Sequence, residues 1–377
     1  MDFKALQARV QMQNEAKDKV RLANYIATLL ITVGGGKTKI MIDLALELID
    51  KYKIKSILYV CDNTRLRDSH KEGFPEQLKT WGTPELRKII TLECYQTTRK
   101  WKGEKFDLLL ADEADFAMTT EYCKVFFNNT FRFKILVTGT MTPEKKRLCK
   151  EIAPIVFKCT TLQAEARGII NKTKYHLYNY KMSEDESKKY VKYTKAIAIA
   201  MSDGSSKDRV DFLIRKRKEL LCTLDSSQVH CRKIMGWLGR NKPGVRLIIF
   251  CERTSQADRC CKWSYHGGNA KENHLDKFQN GEIAGCAVVS KVTRGINLKN
   301  ANTFIFESIT SSSTAFSQRN GRGKRLLIHE VADSIFMCPW YRHEALDGTI
   351  TYKPTKVIDW ITSATKDVKA ELIDLKL

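Results

Sequence analysis

The sequence predicts an α/β protein with two domains built on parallel sheets, and three observations carry that prediction. Short apolar runs of β type alternate with longer stretches whose apolar residues recur at helical spacing. The alternation runs twice, from about residue 25 to 150 and again from about 151 to 330. The 377 residues are also enough for two domains, each with its own core.

Composition narrows the class. A hydrophobic content of 43% and a charged content of 29% are those of a globular protein. No apolar run reaches membrane-spanning length, and Met1-Asp2-Phe3-Lys4 lacks the basic-then-apolar order of a secretory leader. The expectation is therefore an intracellular, cytoplasmic protein without a membrane partner. Twelve scattered cysteines, none in a C-x-x-C pair, are expected to be reduced core thiols. A net charge of +22, from 65 Lys and Arg against 43 Asp and Glu, calls for a polyanionic partner, with nucleic acid ahead of a simple solubility charge.

Residues 1–24 are polar and helix-prone. Gln13 carries an amide placed to read an adenine edge, a solvated helix face being the other reading. Tyr25 to Ile31 reads as a buried strand, and Lys39 to Leu48 as a helix with Ile40, Leu44 and Leu48 on its apolar side. Between them, Gly34, Gly35 and Gly36 let backbone N–H groups converge on oxygens, Lys37 can reach terminal phosphates and Thr38 can ligate Mg²⁺. Strand, glycines, Lys-Thr and helix together form a phosphate cradle; a plain tight turn is the alternative. Ile31 stands where the strict pattern has its first Gly.

Lys55 to Cys61 and Lys88 to Leu92 suggest two more strands, with polar ends at Asp62 to Arg65 and Glu93 to Thr98. Phe106 to Ala111 is an apolar strand running into Asp112-Glu113-Ala114-Asp115. Adjacent carboxylates at such a strand end are costly unless a cation or a reaction needs them. Beside a phosphate cradle, Asp112 would hold Mg²⁺ and Glu113 would orient and deprotonate the water attacking a γ-phosphate. Lys134 to Val137 is a further strand, and the hydroxyls of Thr138 and Thr140 after it are expected to bond the acidic pair.

In the second half, Lys174 to Tyr180 reads as an edge strand. Residues 181–246 are helical and hold 16 Lys and Arg against 8 Asp and Glu, with Arg215 to Lys218 the densest run. A solvated face is the default explanation and a backbone-contacting arm the second. Strands return at Arg246 to Cys251, Gly285 to Ser290 and Thr303 to Glu307. Gln318 to Arg325 then packs three arginines and a lysine around two glycines, either a flexible basic loop or a source of arginine fingers. In the tail, Val357, Ile358, Trp360 and Ile361 form an amphipathic pattern that caps the second domain or binds a partner.

In order, G-G-G-K-T (34–38), D-E-A-D (112–115), T-G-T (138–140), L-I-I-F-C (247–251), V-S-K-V-T-R-G-I-N-L (289–298) and Q-R-N-G-R-G-K-R (318–325) resemble motifs I to VI of superfamily 2 helicases and translocases. The resemblance implies two tandem RecA-like domains, 1–150 and 151–330, with ATP in the cleft between them, nucleic acid across both, and 331–377 as a C-terminal extension. The activity it implies is nucleic-acid-stimulated hydrolysis of ATP to ADP and phosphate, driving movement on DNA or its remodelling. Thr38 and Asp112 would serve Mg²⁺, and Gln318 would sit near the attacking water. Arg322 and Arg325 would reach the γ-phosphate, and Gly295 would allow close backbone approach. Thr64, Arg65, Thr97, Thr98, Gly295 and Arg253 are the candidates for strand contact.

T-G-T followed by Pro143, with the Q-R-x-G-R start of motif VI, looks more like the DNA-directed branches than like DEAD-box RNA helicases, which normally carry S-A-T in motif III. An RNA helicase, a P-loop kinase and a non-catalytic nucleic-acid clamp are the rival readings. Asp62 where Pro is usual and the short stretch Cys260 to Tyr265 depart from the pattern. So compact a core resembles phage and viral members, acting as a monomer in the host cell with a protein partner for targeting.

Overall fold

In the computed structural model, residues 3–62, 67, 74–289, 298, 301–307, 331–345, 347–365 and 371–376 are described. The chain divides into two compact units, the first running to Asn171 and the second starting at Lys172. The sequence expectation placed that division near 150. The difference comes from β6 (Ile155–Cys159), which pairs in parallel with β1 (Ile26–Ile31) and so belongs to the first sheet.

The first unit is a six-stranded sheet in the order β3-β2-β4-β5-β1-β6, with β2 Ile57–Cys61, β3 Ile90–Cys94, β4 Lys105–Ala111 and β5 Thr130–Thr138. All its pairings are parallel. Such a sheet needs cover on both faces, and the strands are patterned for it. In β4, Leu108 and Leu110 join a core beneath α1 (Phe3–Leu22) and α2 (Lys37–Tyr52), while Leu109 and Ala111 join a second core with Val125, Phe126 and Ile152. Helix Pro143–Ile152 starts where Thr142 accepts the Lys145 N–H and Pro143 takes the first turn, which explains the Thr-Pro step after T-G-T.

The second unit carries eight strands in the order β14-β7-β12-β11-β8-β10-β9, with β13 antiparallel on β12. These are β7 Thr173–Lys181, β8 Leu247–Cys251, β9 Ser264–Tyr265, β10 Gly285–Val289, β11 Thr303–Phe306, β12 Ala332–Glu344, β13 Ile350–Pro354 and β14 Leu372–Asp374. Two expectations are corrected here. β7 is not an edge strand: β12 flanks it along its length and β14 covers three residues of its other side. Residues 331–377 are not an appended extension either, because β12 lies inside the sheet, between β7 and β11. Helix Val357–Thr365 does bury Val357 and Ile361.

Between β7 and β8 the chain forms helices Glu184–Ser202, Lys207–Leu221 and Asp225–Asn241. The first opens with a capping box, Ser183 and Glu186 exchanging backbone N–H bonds. The third buries Ser227, Gln228, Cys231, Ile234 and Leu238. That spacing puts one face on the sheet and leaves the other to solvent. Among the described residues no helix is long and apolar enough to cross a membrane.

Candidate ATP site and its relatives

β4, β5 and β1 are neighbours in the first sheet. Their carboxyl ends therefore bring three separate motifs to one place, which is where ligands bind in open parallel sheets. After β1 the chain turns through Gly34 and Gly36 at φ of 90° and 84°, a left-handed backbone that glycine alone adopts without strain, and enters α2 at Lys37.

The loop is held from both sides. Gln13 on α1 is buried, and its Nε2 donates to the Gly35 carbonyl at 3.3 Å. A Cβ on Gly36 would collide with that amide. The solvated-face reading of Gln13 is thereby overturned: its side chain braces the phosphate loop. Ile31, the departure at the head of the motif, is fully buried, and a Cβ on Gly35 would run into its Cγ2. The bulk at 31 and the bareness at 35 thus fit one another. Overpacking of this kind costs about 1–3 kcal/mol. Gly35→Ala should weaken ATP binding about 10- to 100-fold on that basis, and Ile31→Ala in the same chain should restore most of it. ATP affinity by isothermal titration across the double-mutant cycle checks this; additive losses in the double variant would show that the two positions do not share the space.

Opposite the loop, Lys37 Nζ donates to Glu113 Oε1 at 3.2 Å. Glu113 sits at φ 46°, left-handed for a residue with a Cβ. Such a conformation costs about 1–3 kcal/mol and persists only where the surroundings impose it. Here the Glu113 N–H is held by Asp112 Oδ1 at 2.9 Å. Asp112 is buried, its Oδ2 accepts from the Tyr59 hydroxyl at 3.1 Å, and its carbonyl accepts from the Tyr95 hydroxyl at 3.0 Å. Burial, and then the charge of Glu113, push the Asp112 carboxyl up to about 6. Asp115 is raised for the same two reasons.

The expectation that Thr138 bonds the acidic pair is corrected. Its hydroxyl donates to Asp115 Oδ1 at 2.6 Å, and Lys145 Nζ donates to the Asp115 carbonyl at 2.6 Å. The link between the second and third motifs therefore runs through the fourth letter of D-E-A-D, two residues beyond the pair. Sequence reasoning also missed Tyr59 and Tyr95. A tyrosine inside a wholly buried strand must find a partner for its hydroxyl, and that was the available signal for Tyr59 in I-L-Y-V-C.

Candidate strand contacts fare less evenly. Thr97 is exposed. Thr98 is fully buried and spends its hydroxyl on the Cys94 carbonyl at 3.2 Å, so it is a helix residue and not a surface contact. Arg253 donates to Glu219 Oε1 at 2.7 Å on the neighbouring helix. Thr64, Arg65, Gly295, Gln318, Arg322 and Arg325 lie outside the described residues.

The donor set fits a hard divalent cation. One buried carboxylate whose charged form is disfavoured by burial and by the neighbouring Glu113 charge, a second beside it, and a hydroxyl on Thr38 at the head of α2 are oxygen ligands. No group of three His, Cys, Asp or Glu forms a metal cage among the described residues. Mg²⁺ takes one or two carboxylates and fills its sphere with water and phosphate oxygens.

Two family models match in the order of the two units. Residues 5–145 match the type III restriction enzyme res subunit, and residues 228–326 match the helicase conserved C-terminal domain. The chain is an ATP-hydrolysing enzyme of the superfamily 2 helicase type. Its fold is that of two tandem RecA-like domains, and it acts on nucleic acid.

Solved structures agree on the fold. The helicase resembles the Pyrococcus furiosus Hef helicase domain at 15% identity and a TM-score of 0.53, covering 87% of this chain and 94% of that one. It resembles the ATP-dependent type ISP restriction-modification enzyme LlaBIII bound to DNA at 14% identity and a TM-score of 0.64, over 97% of this chain and 31% of the other. The S. cerevisiae Dbp5 bound to RNA and ADP BeF3 matches at 12% identity and a TM-score of 0.56, over 100% and 94% of the two chains. No curated protein matches its sequence.

Proposed function

We propose that this helicase uses ATP and Mg²⁺ to step along or remodel DNA. The observation that carries the proposal is the meeting of Lys37, Asp112 and Glu113 at the carboxyl ends of β1 and β4, two strands on either side of β5, with a phosphate loop braced by Gln13 and Ile31. In this reading Lys37 leaves Glu113 for the β- and γ-phosphates when ATP enters. Glu113 then accepts the proton of the attacking water, while Gln318 orients that water. When bound, Mg²⁺ would neutralise charge building on the phosphates, with Thr38 and Asp112 as its protein ligands. Arg322 and Arg325 would stabilise the transferring phosphoryl group when ATP closes the cleft, and loss of the γ-phosphate would let it reopen. Thr64, Arg65, Thr97, Gly295 and Arg253 remain the proposed strand contacts, Arg253 only after release from Glu219.

Three things support DNA as the track: T-G-T with Pro143, the Q-R-x-G-R motif, and a first-half family model drawn from restriction enzymes. The structural match to an RNA-bound relative keeps RNA as the second reading. Steady-state ATPase rates with single-stranded, duplex and forked DNA and with structured RNA decide between them. Strong stimulation by DNA alone is expected; stimulation confined to RNA would overturn the proposal. A compact phage or viral origin and a targeting partner belong to the same proposal and rest on the sequence resemblance.

A further inference from the structure

The solvent face of helix Asp225–Asn241 is basic. A groove of about 650 Å³ runs along it, lined by Arg232, Lys233, Gly236, Trp237 and Arg240, with Tyr178 of β7 across from them. Among the described residues no carboxylate lines it. Some exposed cations of the unit are paired, as Arg253 is with Glu219, Arg259 with Asp225 and Lys356 with Asp359, while among the described residues Lys189, Lys192 and Lys195 on helix Glu184–Ser202 are not. Among the described residues no hydrogen bond or ion pair engages Arg232, Lys233 or Arg240. Three unpaired cations within three turns of one helix repel each other unless an anion joins them.

The glycines make the second observation. Gly236 and Gly239 sit inside this helix, where each is about 1 kcal/mol less favourable than Ala. Packing does not require either. A Cβ on Gly239 would meet nothing within 4 Å, and one on Gly236 would meet only the Arg240 guanidinium at 3.5 Å, an ordinary contact. Bare backbone at Gly236, between the cations and beside the half-buried Trp237, leaves room for a ligand to lie against the helix.

The groove also has a direction. At the start of the helix, Ser227 bonds Glu307, just beyond the carboxyl end of β11. Past its end, Lys242 bonds Thr303 and Asp333, at the amino ends of β11 and β12. The groove therefore leads from the motif-bearing ends of the strands down the flank of the sheet. From Val229 to Arg240 it spans about 16 Å, the length of about five nucleotides at ~3.4 Å each.

We infer that this groove binds a second segment of single-stranded nucleic acid, its phosphates on Arg232, Lys233 and Arg240 and a base stacked on Trp237. Cations that track a backbone and an aromatic face for a base are the two parts of a sequence-tolerant single-strand site. The inference needs only that the chain binds nucleic acid and is separate from the assignment of the ATP site.

Full-length chain is titrated against labelled oligothymidine and oligouridine of about 20 nucleotides, longer than most single sites of ~4–16, across a series of salt concentrations. Each phosphate contact adds about 0.7 to the salt slope on single strands. The triple variant Arg232→Ala, Lys233→Ala, Arg240→Ala should lower the slope by about 2, so a fourfold rise in salt weakens the wild type about 20-fold more than the variant. Gly236→Leu keeps every charge and improves helix propensity while filling the groove. It should weaken binding comparably, with ATPase in the absence of nucleic acid unchanged in both variants. A preference for one polymer identifies DNA or RNA as the occupant. Wild-type binding by Gly236→Leu would overturn the groove, leaving diffuse charge or an acidic peptide as the reason for the cations. Failure of the wild type to bind either polymer would overturn the nucleic-acid reading along with it.

Discussion

Glu113→Gln should lower nucleic-acid-stimulated ATP turnover by about 10²–10⁴, the usual worth of a positioned general base, while ATP still binds. The geometry makes the two effects separable. Gln preserves the shape and the left-handed backbone position but cannot take a proton from water. It also dissolves the charged pair with Lys37 at 3.2 Å, so the lysine meets the incoming phosphates without first breaking a salt bridge. The variant should therefore bind ATP at least as tightly as the wild type and accumulate in its ATP-bound form on nucleic acid. Single-turnover hydrolysis measured beside equilibrium binding of ATP checks both halves. Turnover within a few-fold of the wild type would remove Glu113 as the base, leaving it as a lysine-parking group in the unliganded enzyme. Loss of ATP binding would instead show that the Glu113 charge organises the loop.

The parts of this site that were legible in the sequence are those where the backbone does the work. Gly34 to Thr38 and Asp112-Glu113 declare themselves because a phosphate loop and a carboxylate at a strand end demand particular residue types at particular turns. Supports that reach across the fold do not. Tyr59 meets Asp112 only because β2 lies beside β4, and Thr138 meets Asp115 only because β5 lies on its other side. Spacing along the chain carries no trace of either neighbour. Thr98 misleads for a related reason: a threonine near a strand end suits a phosphate or its own helix equally well, and here the Cys94 carbonyl takes it. β12 runs through Pro339, a residue that normally demotes a run from the interior of a sheet. The strand accommodates it opposite Tyr180, and its carbonyl accepts from Thr355.

Asp112→Asn should abolish hydrolysis and yet stabilise the unliganded chain. A carboxyl raised from 3.8 to about 6 binds a proton in the folded state that the unfolded chain has already lost. Its contribution is therefore full below about pH 4, falls as pH rises to about 6, and stays low above that. A shift of this size corresponds to about 3 kcal/mol of ionisation cost at neutral pH. Asn removes that cost, but its single oxygen keeps only one of the two bonds from the Tyr59 hydroxyl and the Glu113 N–H, and its amide hydrogens then need acceptors. A net gain of about 1–2 kcal/mol at pH 7.5 over the wild type, vanishing near pH 4, is the expected result in urea unfolding. Activity moves the other way: in the proposed role of Asp112 as a metal ligand, losing its carboxylate should cost several kcal/mol of transition-state stabilisation, about 10²–10³ in rate or more. Adding Mg²⁺ and ADP should stabilise the wild type and do little for the variant. If Asp112→Asn were less stable than the wild type at pH 7.5, Asp112 would be a structural acceptor for Tyr59 and the Glu113 N–H. A variant both more stable and inactive would mean that the fold carries an unfavourable buried charge which only a bound cation offsets.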